Sequence, residues 1–140
     1  MASHEKLGES LTKNQSLVLE QLKAAHAPVT AYMLLDLLRP QGFRAPLQVY
    51  RALDRLMALG LIHKLESINA FMACVHGHGD GHHHGVAGFA ICDKCGNVSE
   101  FADSVIEHRL EEWAMSNGFH AQKSAIELHG QCASCAPAGD

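Results

Sequence analysis

The sequence has no apolar run near the ~20 residues that a membrane-spanning helix requires. Its opening Met1-Ala-Ser-His-Glu-Lys is polar where a secretory signal peptide would be apolar, so a cytoplasmic protein is expected. It also lacks the even set of cysteines of a secreted disulfide framework, since five are present and four of them form two Cys-x-x-Cys pairs. A reducing compartment and a bound metal fit that pattern better. Basic charge is scarce: 11 Lys+Arg stand against 15 Asp+Glu, a formal charge of -4, which at first sight argues against nucleic acid. No nucleophile-and-base arrangement is visible. His108-Arg-Leu-Glu111-Glu112 resembles part of an inverted zinc-protease motif, but Glu112 stands where the second histidine belongs, and the chain is read as no enzyme.

What is present fits 140 residues, 47% of them hydrophobic: one ordinary core, or two small modules sharing a metal staple. The charge is divided unevenly. Residues 1 to 68 hold eight Lys+Arg against six Asp+Glu, and residues 69 to 140 hold three against nine. Between Arg39 and Lys64 lie Arg39, Arg44, Arg51, Arg55 and Lys64 with the single acid Asp54, a local basic footprint on an acidic protein.

Hydrophobic periodicity predicts a helix between Thr12 and His26, capped by Thr12 or Ser10, with Leu11, Val18, Leu22 and Ala25 on its apolar side. Thr30 caps a second helix whose buried stripe is Leu34, Leu37 and Leu38 and which ends at Pro40 and Gly42. A third runs from Pro46 to Gly60 with Val49, Leu53 and Leu56 inward, and Gln48, Arg51 and Arg55 on another face at i, i+3, i+7. Leu61 to Glu66 and Ala70 to Val75 then read as strands joined by Ser67-Ile-Asn. Three helices followed by a β-hairpin is the winged-helix order. A His/Gly-rich hinge covers residues 76–88. In residues 89–140, strands flank the first cysteine pair, Asp103 caps a helix whose Ile106, Leu110, Trp113 and Ala114 face a core, and the last strand lies between Phe119 and Leu128. The fold class is α+β, with residues 1–75 as the winged-helix domain and residues 89–140 as a small metal-closed module.

Cys92, Cys95, Cys132 and Cys135 read as one tetrahedral four-cysteine zinc site, closed and therefore structural. A thioredoxin-type pair would open a helix, whereas Cys95-Gly-Asn turns back toward a strand. A second constellation is His63, Cys74, the cluster His82-His83-His84, and Glu100. Each is ordinary singly, but one thiolate with imidazoles and a carboxylate suits Zn²⁺ and not Mg²⁺ or Ca²⁺. His76, His78, His108, His120 and Glu107 offer a third, weaker site, or only a solvated His-rich surface. Gln48, Tyr50, Arg51 and Arg55 are candidates for DNA contact, because the third helix stands where a recognition helix enters the major groove and arginine suits guanine O6 and N7.

Val49-Tyr-Arg-Ala-Leu-Asp, Phe71-Met-Ala-Cys74, the His-rich hinge, Ile91-Cys-Asp-Lys-Cys-Gly and Glu127-Leu-His-Gly-Gln-Cys-Ala-Ser-Cys resemble the Fur superfamily of bacterial metalloregulators, from about Thr12 to Cys135. His63-Lys-Leu-Glu-Ser, Cys74 and Glu100 are similar to its zinc-uptake branch rather than its iron branch, which generally lacks a thiolate in the regulatory shell. The resemblance implies a homodimeric repressor of zinc-uptake genes that binds palindromic operator DNA, with two zinc ions per chain and no organic cofactor. It puts the structural ion on the four paired cysteines and the regulatory ion on His63, Cys74, a histidine of the cluster and Glu100. Tyr50 and Arg51 match the family's DNA-contacting pair, and Asp36 and Arg39 match positions that in some relatives bridge adjacent dimers. One departure is local. The family's hinge histidine precedes the first cysteine by seven residues, where this chain has Gly85, so His84 is assigned, with His83 next. An iron or peroxide sensor of the same superfamily and a zinc-buffering protein are the alternative readings.

Overall fold

Residues 11–74 and 87–137 are described by the computed structural model, and the chain divides after Cys74 into two units. The first unit begins with α1 (Lys13–Ala24), whose start is fixed by a reciprocal cap. The Thr12 hydroxyl accepts from the Gln15 N–H at 3.2 Å, and the Gln15 side chain accepts from the Thr12 N–H at 3.0 Å. Thr30 caps α2 (Ala31–Leu38) with its hydroxyl alone, accepting from Met33 N–H at 3.2 Å. Pro40 does not end the chain's turning. It sits in a 3₁₀ turn, Arg39–Gln41, that closes on Gly42 at φ +103°, a conformation that favours glycine. Phe43, buried immediately after, seals the corner before α3 (Pro46–Ala58).

Strands β1 (Ile62–Leu65) and β2 (Ala70–Ala73) pair antiparallel around the Glu66–Asn69 turn, where Asn69 takes φ +50°. Val29 adds a third line to this wing. Its N–H and C=O exchange hydrogen bonds with Phe71 at 2.9 and 2.8 Å, tying the segment before α2 to the hairpin. The core gathers Val18 and Leu22 from α1, Leu34 and Leu38 from α2, Val49, Leu53 and Leu56 from α3, and Ile62 and Phe71 from the wing. Leu37 is the exception among the expected core residues. It is exposed, and Leu35 is buried in its place, because α2 presents Ala31, Leu34, Leu35 and Leu38 inward.

In the second unit, β3 (Ala87–Cys92) is the central strand, antiparallel to β4 (Val98–Phe101) and parallel to β5 (Ala125–Gly130). The connection from β4 to β5 carries α4 (Ser104–Ser116), started by Asp103, whose carboxylate accepts from Val105 and Ile106 N–H at 2.9 and 3.2 Å. The Phe101 ring lies over Gly88, in space that a Cβ there would occupy. Two expectations need correcting. The last strand begins only at Ala125, and α4 buries only Ala114 of its apolar face. Ile106, Leu110 and Trp113 are 36, 40 and 60% exposed, so the apolar face of this helix is largely left uncovered by the described residues.

Leu53→Ala should cost about 2–5 kcal/mol in urea unfolding followed by far-UV dichroism, through lost burial and a residual cavity. Leu37→Ala should change stability by no more than about 0.5 kcal/mol. Similar costs for the two would contradict this division of α2 and α3 into faces.

Candidate functional site

The parallel pairing of β3 with β5 sets Cys92 directly beside Gly130, at the ends of two strands that both run out into cysteine loops. After Cys92 the chain reverses: Gly96, at φ +78°, donates its N–H to the Cys92 carbonyl at 2.9 Å, and the Cys95 N–H points at the Cys92 sulfur at 3.4 Å. The second loop turns on itself likewise, with Cys135 and Ala136 N–H donating to the Cys132 carbonyl at 3.0 and 2.8 Å. Such turns free the sulfurs to converge. Cys95 Sγ and Cys132 Sγ stand 3.8 Å apart, and the four sulfurs lie within 4.8 Å of one another. A tetrahedral ion with Zn–S bonds of about 2.3 Å requires sulfurs separated by about 3.8 Å, so the donor set fits zinc in both chemistry and spacing.

Four thiols this close oppose one another's ionisation. The backbone N–H groups of Cys95 and Cys132 hold the Cys92 thiol down at about 6. The side chains of Cys132 and Cys92 push Cys135 up to about 12. Although the Asn97 N–H pulls it downward, the Cys95 thiol is raised by the Cys92 side chain, burial and Cys132. A divalent cation reverses that order, because each ligand must be deprotonated to bind.

His63 and Cys74 occupy the wing. His63 stands opposite Met72 in the hairpin, and the Cys74 N–H donates to the Leu61 carbonyl at 2.9 Å, so Cys74 follows the same antiparallel register. Opposed residues and their second neighbours share a face, which makes His63 and Cys74 a diagonal pair on one face of the hairpin. Both are half-buried. Glu100 is a half-buried residue of β4, opposite Phe89 in the second unit. His82, His83 and His84, with His76 and His78, lie outside the described residues. Glu107, His108 and His120 do not converge on a set of three ligands among the described residues.

On α3 the side chains of Arg51 and Arg55 are exposed, and Tyr50 is half-buried against the core. Gln48 has a role that its periodicity does not signal. Its carboxamide oxygen accepts from the Arg44 and Ala45 N–H groups at 2.6 and 3.0 Å, capping the helix that begins at Pro46. Both lone pairs are thereby engaged, which leaves the Gln48 NH₂ as the group able to meet a base edge. Asp36 and Arg39 are exposed and paired with each other at 3.2 Å across one turn. A glutamine three residues into a helix that lacks a Ser, Thr, Asp or Asn cap is the available signal for the Gln48 role.

A family model described as the ferric uptake regulator family matches residues 8–129. The zinc uptake regulation protein of Escherichia coli (strain K12) is 38% identical over 126 residues, which cover 89% of this chain and 72% of that protein. Among solved structures, a zinc uptake regulator complexed with zinc and DNA aligns with a TM-score of 0.84 at 35% identity, covering 95% of this chain and 90% of that one. The holo form of XcZur aligns with a TM-score of 0.78 at 44% identity, covering 89% and 84%.

Zinc uptake by the four-cysteine site at pH 7 should release at least two protons, from Cys95 and Cys135, whose thiols are held above the ordinary value. The sign follows directly: these thiols are protonated in the free cluster and ionised when bound, so zinc affinity falls as pH falls, by about 100-fold per unit for two protons. Dye-reported proton release in weak buffer checks it, and release below two protons per ion would contradict it.

Proposed function

The chain belongs to the ferric uptake regulator family, and we propose that it is a zinc-responsive repressor: a homodimer that binds palindromic operator DNA when zinc-loaded and silences zinc-uptake genes. The observation that carries the zinc reading is the Cys74 thiol on the same face of the wing hairpin as His63. A thiolate beside an imidazole favours zinc over the harder divalent cations. The relatives described as zinc uptake regulators, one of them solved with zinc and DNA, support the same reading.

In this proposal residues 1–75 bind DNA, residues 76–88 are the hinge, and residues 89–140 dimerise and hold the structural zinc on Cys92, Cys95, Cys132 and Cys135. His63 and Cys74 donate to a regulatory ion together with Glu100 and a hinge histidine, His84 or else His83. When bound there, zinc supplies a soft Lewis acid able to gather thiolate, imidazole and carboxylate into one shell. His63 must be neutral and Cys74 ionised to take part, so acid weakens binding. Arg51 and Arg55, exposed on α3, reach base edges and phosphates, with Tyr50 beside them and Gln48 offering its NH₂. The uncovered stripe of Ile106, Leu110 and Trp113 on α4 supplies the apolar surface that a homodimer would bury.

Two recognition helices in a symmetric dimer must stand about 34–36 Å apart to enter successive major grooves. The ligand residues act by holding zinc more tightly in the geometry with that spacing than in others. A swing from 1:99 to 99:1 takes about 5.5 kcal/mol of such preference.

Fluorescence anisotropy of a palindromic operator, at fixed salt and with zinc buffered across a range, tests the proposal. Tight binding should appear only above a zinc threshold, with Fe²⁺ a poorer activator. Arg51→Ala should weaken operator binding by about 1–3 kcal/mol at unchanged zinc content. Cys74→Ser should lower zinc content from two ions per chain toward one and lose operator binding as a result. Equal operator affinity with and without zinc would sink the reading.

A further inference from the structure

Asp93 lies inside the first cysteine loop, and His129 is in β5, three residues ahead of Cys132. Their side chains meet, with His129 Nδ1 and Asp93 Oδ1 at 3.0 Å. An ionised carboxylate can only accept, so the imidazole donates from Nδ1. One residue further along β5 the main chain makes a parallel tie, with the Asp93 N–H donating to the Gly130 carbonyl at 2.8 Å. Two adjacent links thus join β5 to the loop that follows β3, and neither involves a sulfur.

We infer that Asp93 and His129 form a latch, two positioning residues that hold the cysteine loops at zinc-binding spacing and slow the escape of the ion from Cys92, Cys95, Cys132 and Cys135. The inference rests on the reading of those cysteines as a zinc site. A chelator removes an ion from four thiolates one ligand at a time, and a released thiolate that stays close rebinds before the chelator captures the metal. Tethering the two loops keeps its effective concentration high. Side chains that orient ligands from outside the shell commonly change metal affinity by about 10–100-fold. The pair is largely exposed, 36% for His129 and 60% for Asp93, so it contributes little to global stability. Its effect belongs to the metal's residence time instead.

The test uses the full chain carrying Cys74→Ser, so that only the four-cysteine site retains zinc, and follows transfer of zinc to a chromophoric chelator. Asp93→Ala and His129→Phe should each release zinc about tenfold faster than the parent, with an unchanged far-UV dichroism spectrum. The double variant should be no faster than either single, as expected for one coupled pair. Asp93→Asn keeps an acceptor for Nδ1–H and should restore a rate near the parent's. His129→Phe keeps an aromatic ring while removing the Nδ1 donor, so it carries the test alone should Asp93→Ala not fold. Release rates equal to the parent's in the Ala and Phe variants would overturn the latch and leave the zinc site standing. A parent chain that holds no zinc on these cysteines would overturn both.

Discussion

The second unit depends on one pairing, that of β3 with β5 in parallel register. Parallel strands need a crossover between them, and here β4 and α4 fill it, so that Cys92 and Gly130 finish side by side although they are far apart in sequence. Everything about the metal site follows from that coincidence of strand ends. Two short turns, each closed by N–H groups onto the carbonyl of its first cysteine, aim four sulfurs at a common point. The sheet places the loops and the loops place the sulfurs. A bound ion then cross-links two stretches of chain whose own apolar core is small, consisting mainly of Phe89, Ile91 and Ala114. Metal binding in such a module contributes directly to folding.

Much of this is legible in the sequence, and the parts that are not share a cause. Caps are local chemistry, so Thr12, Thr30 and Asp103 stand at helix starts where their side-chain oxygens find free N–H groups. Val49, Leu53 and Leu56 follow from a period of 3.6, and the four cysteines from spacing alone. Leu37 escapes the pattern because α2 is short and strongly apolar, and its hydrophobicity exceeds what one inward face can bury; Leu35 can be told from Leu37 only by the packing of α1 and α3. The exposed stripe of α4 is the same difficulty in reverse, since an amphipathic pattern marks a face to be covered without saying whether this chain or another covers it. The Val29–Phe71 bridge and the β3/β5 pairing are contacts distant in sequence, and no local pattern announces them.

Gln48 shows how a residue's chemistry narrows once its neighbours are known. Periodicity places it with Arg51 and Arg55 as a surface residue facing DNA. The structure shows its carbonyl oxygen engaged by two backbone N–H groups at a helix start that has alanine, with no side-chain acceptor, in the cap position. Bidentate recognition of adenine requires a glutamine oxygen that accepts from N6 while its NH₂ donates to N7. With the oxygen occupied, Gln48 can only donate, and the edges it suits are those that accept, guanine O6 and N7 or thymine O4. Arginine at positions 51 and 55 favours acceptors as well, so α3 presents a face weighted toward donors.

The two proposed zinc sites differ in a way that suits different duties. Four thiolates around one ion make a closed shell with no open position, and the loops that carry them are also tied by backbone hydrogen bonds. An ion held in such a shell would leave slowly and would support the fold of the module for as long as it stayed bound. A sensor needs the opposite property, exchange on the timescale over which supply changes. His63 and Cys74 bring one thiolate and one imidazole from a two-stranded hairpin, and the remaining proposed donors are a carboxylate and a hinge histidine. With a single thiolate and donors drawn from separate segments, such a shell binds more weakly, and its occupancy can follow the zinc available. The fifth cysteine is therefore the informative one: in the proposed scheme the paired four would hold a permanent ion, and Cys74 would supply the thiolate that makes an exchangeable second site selective for zinc.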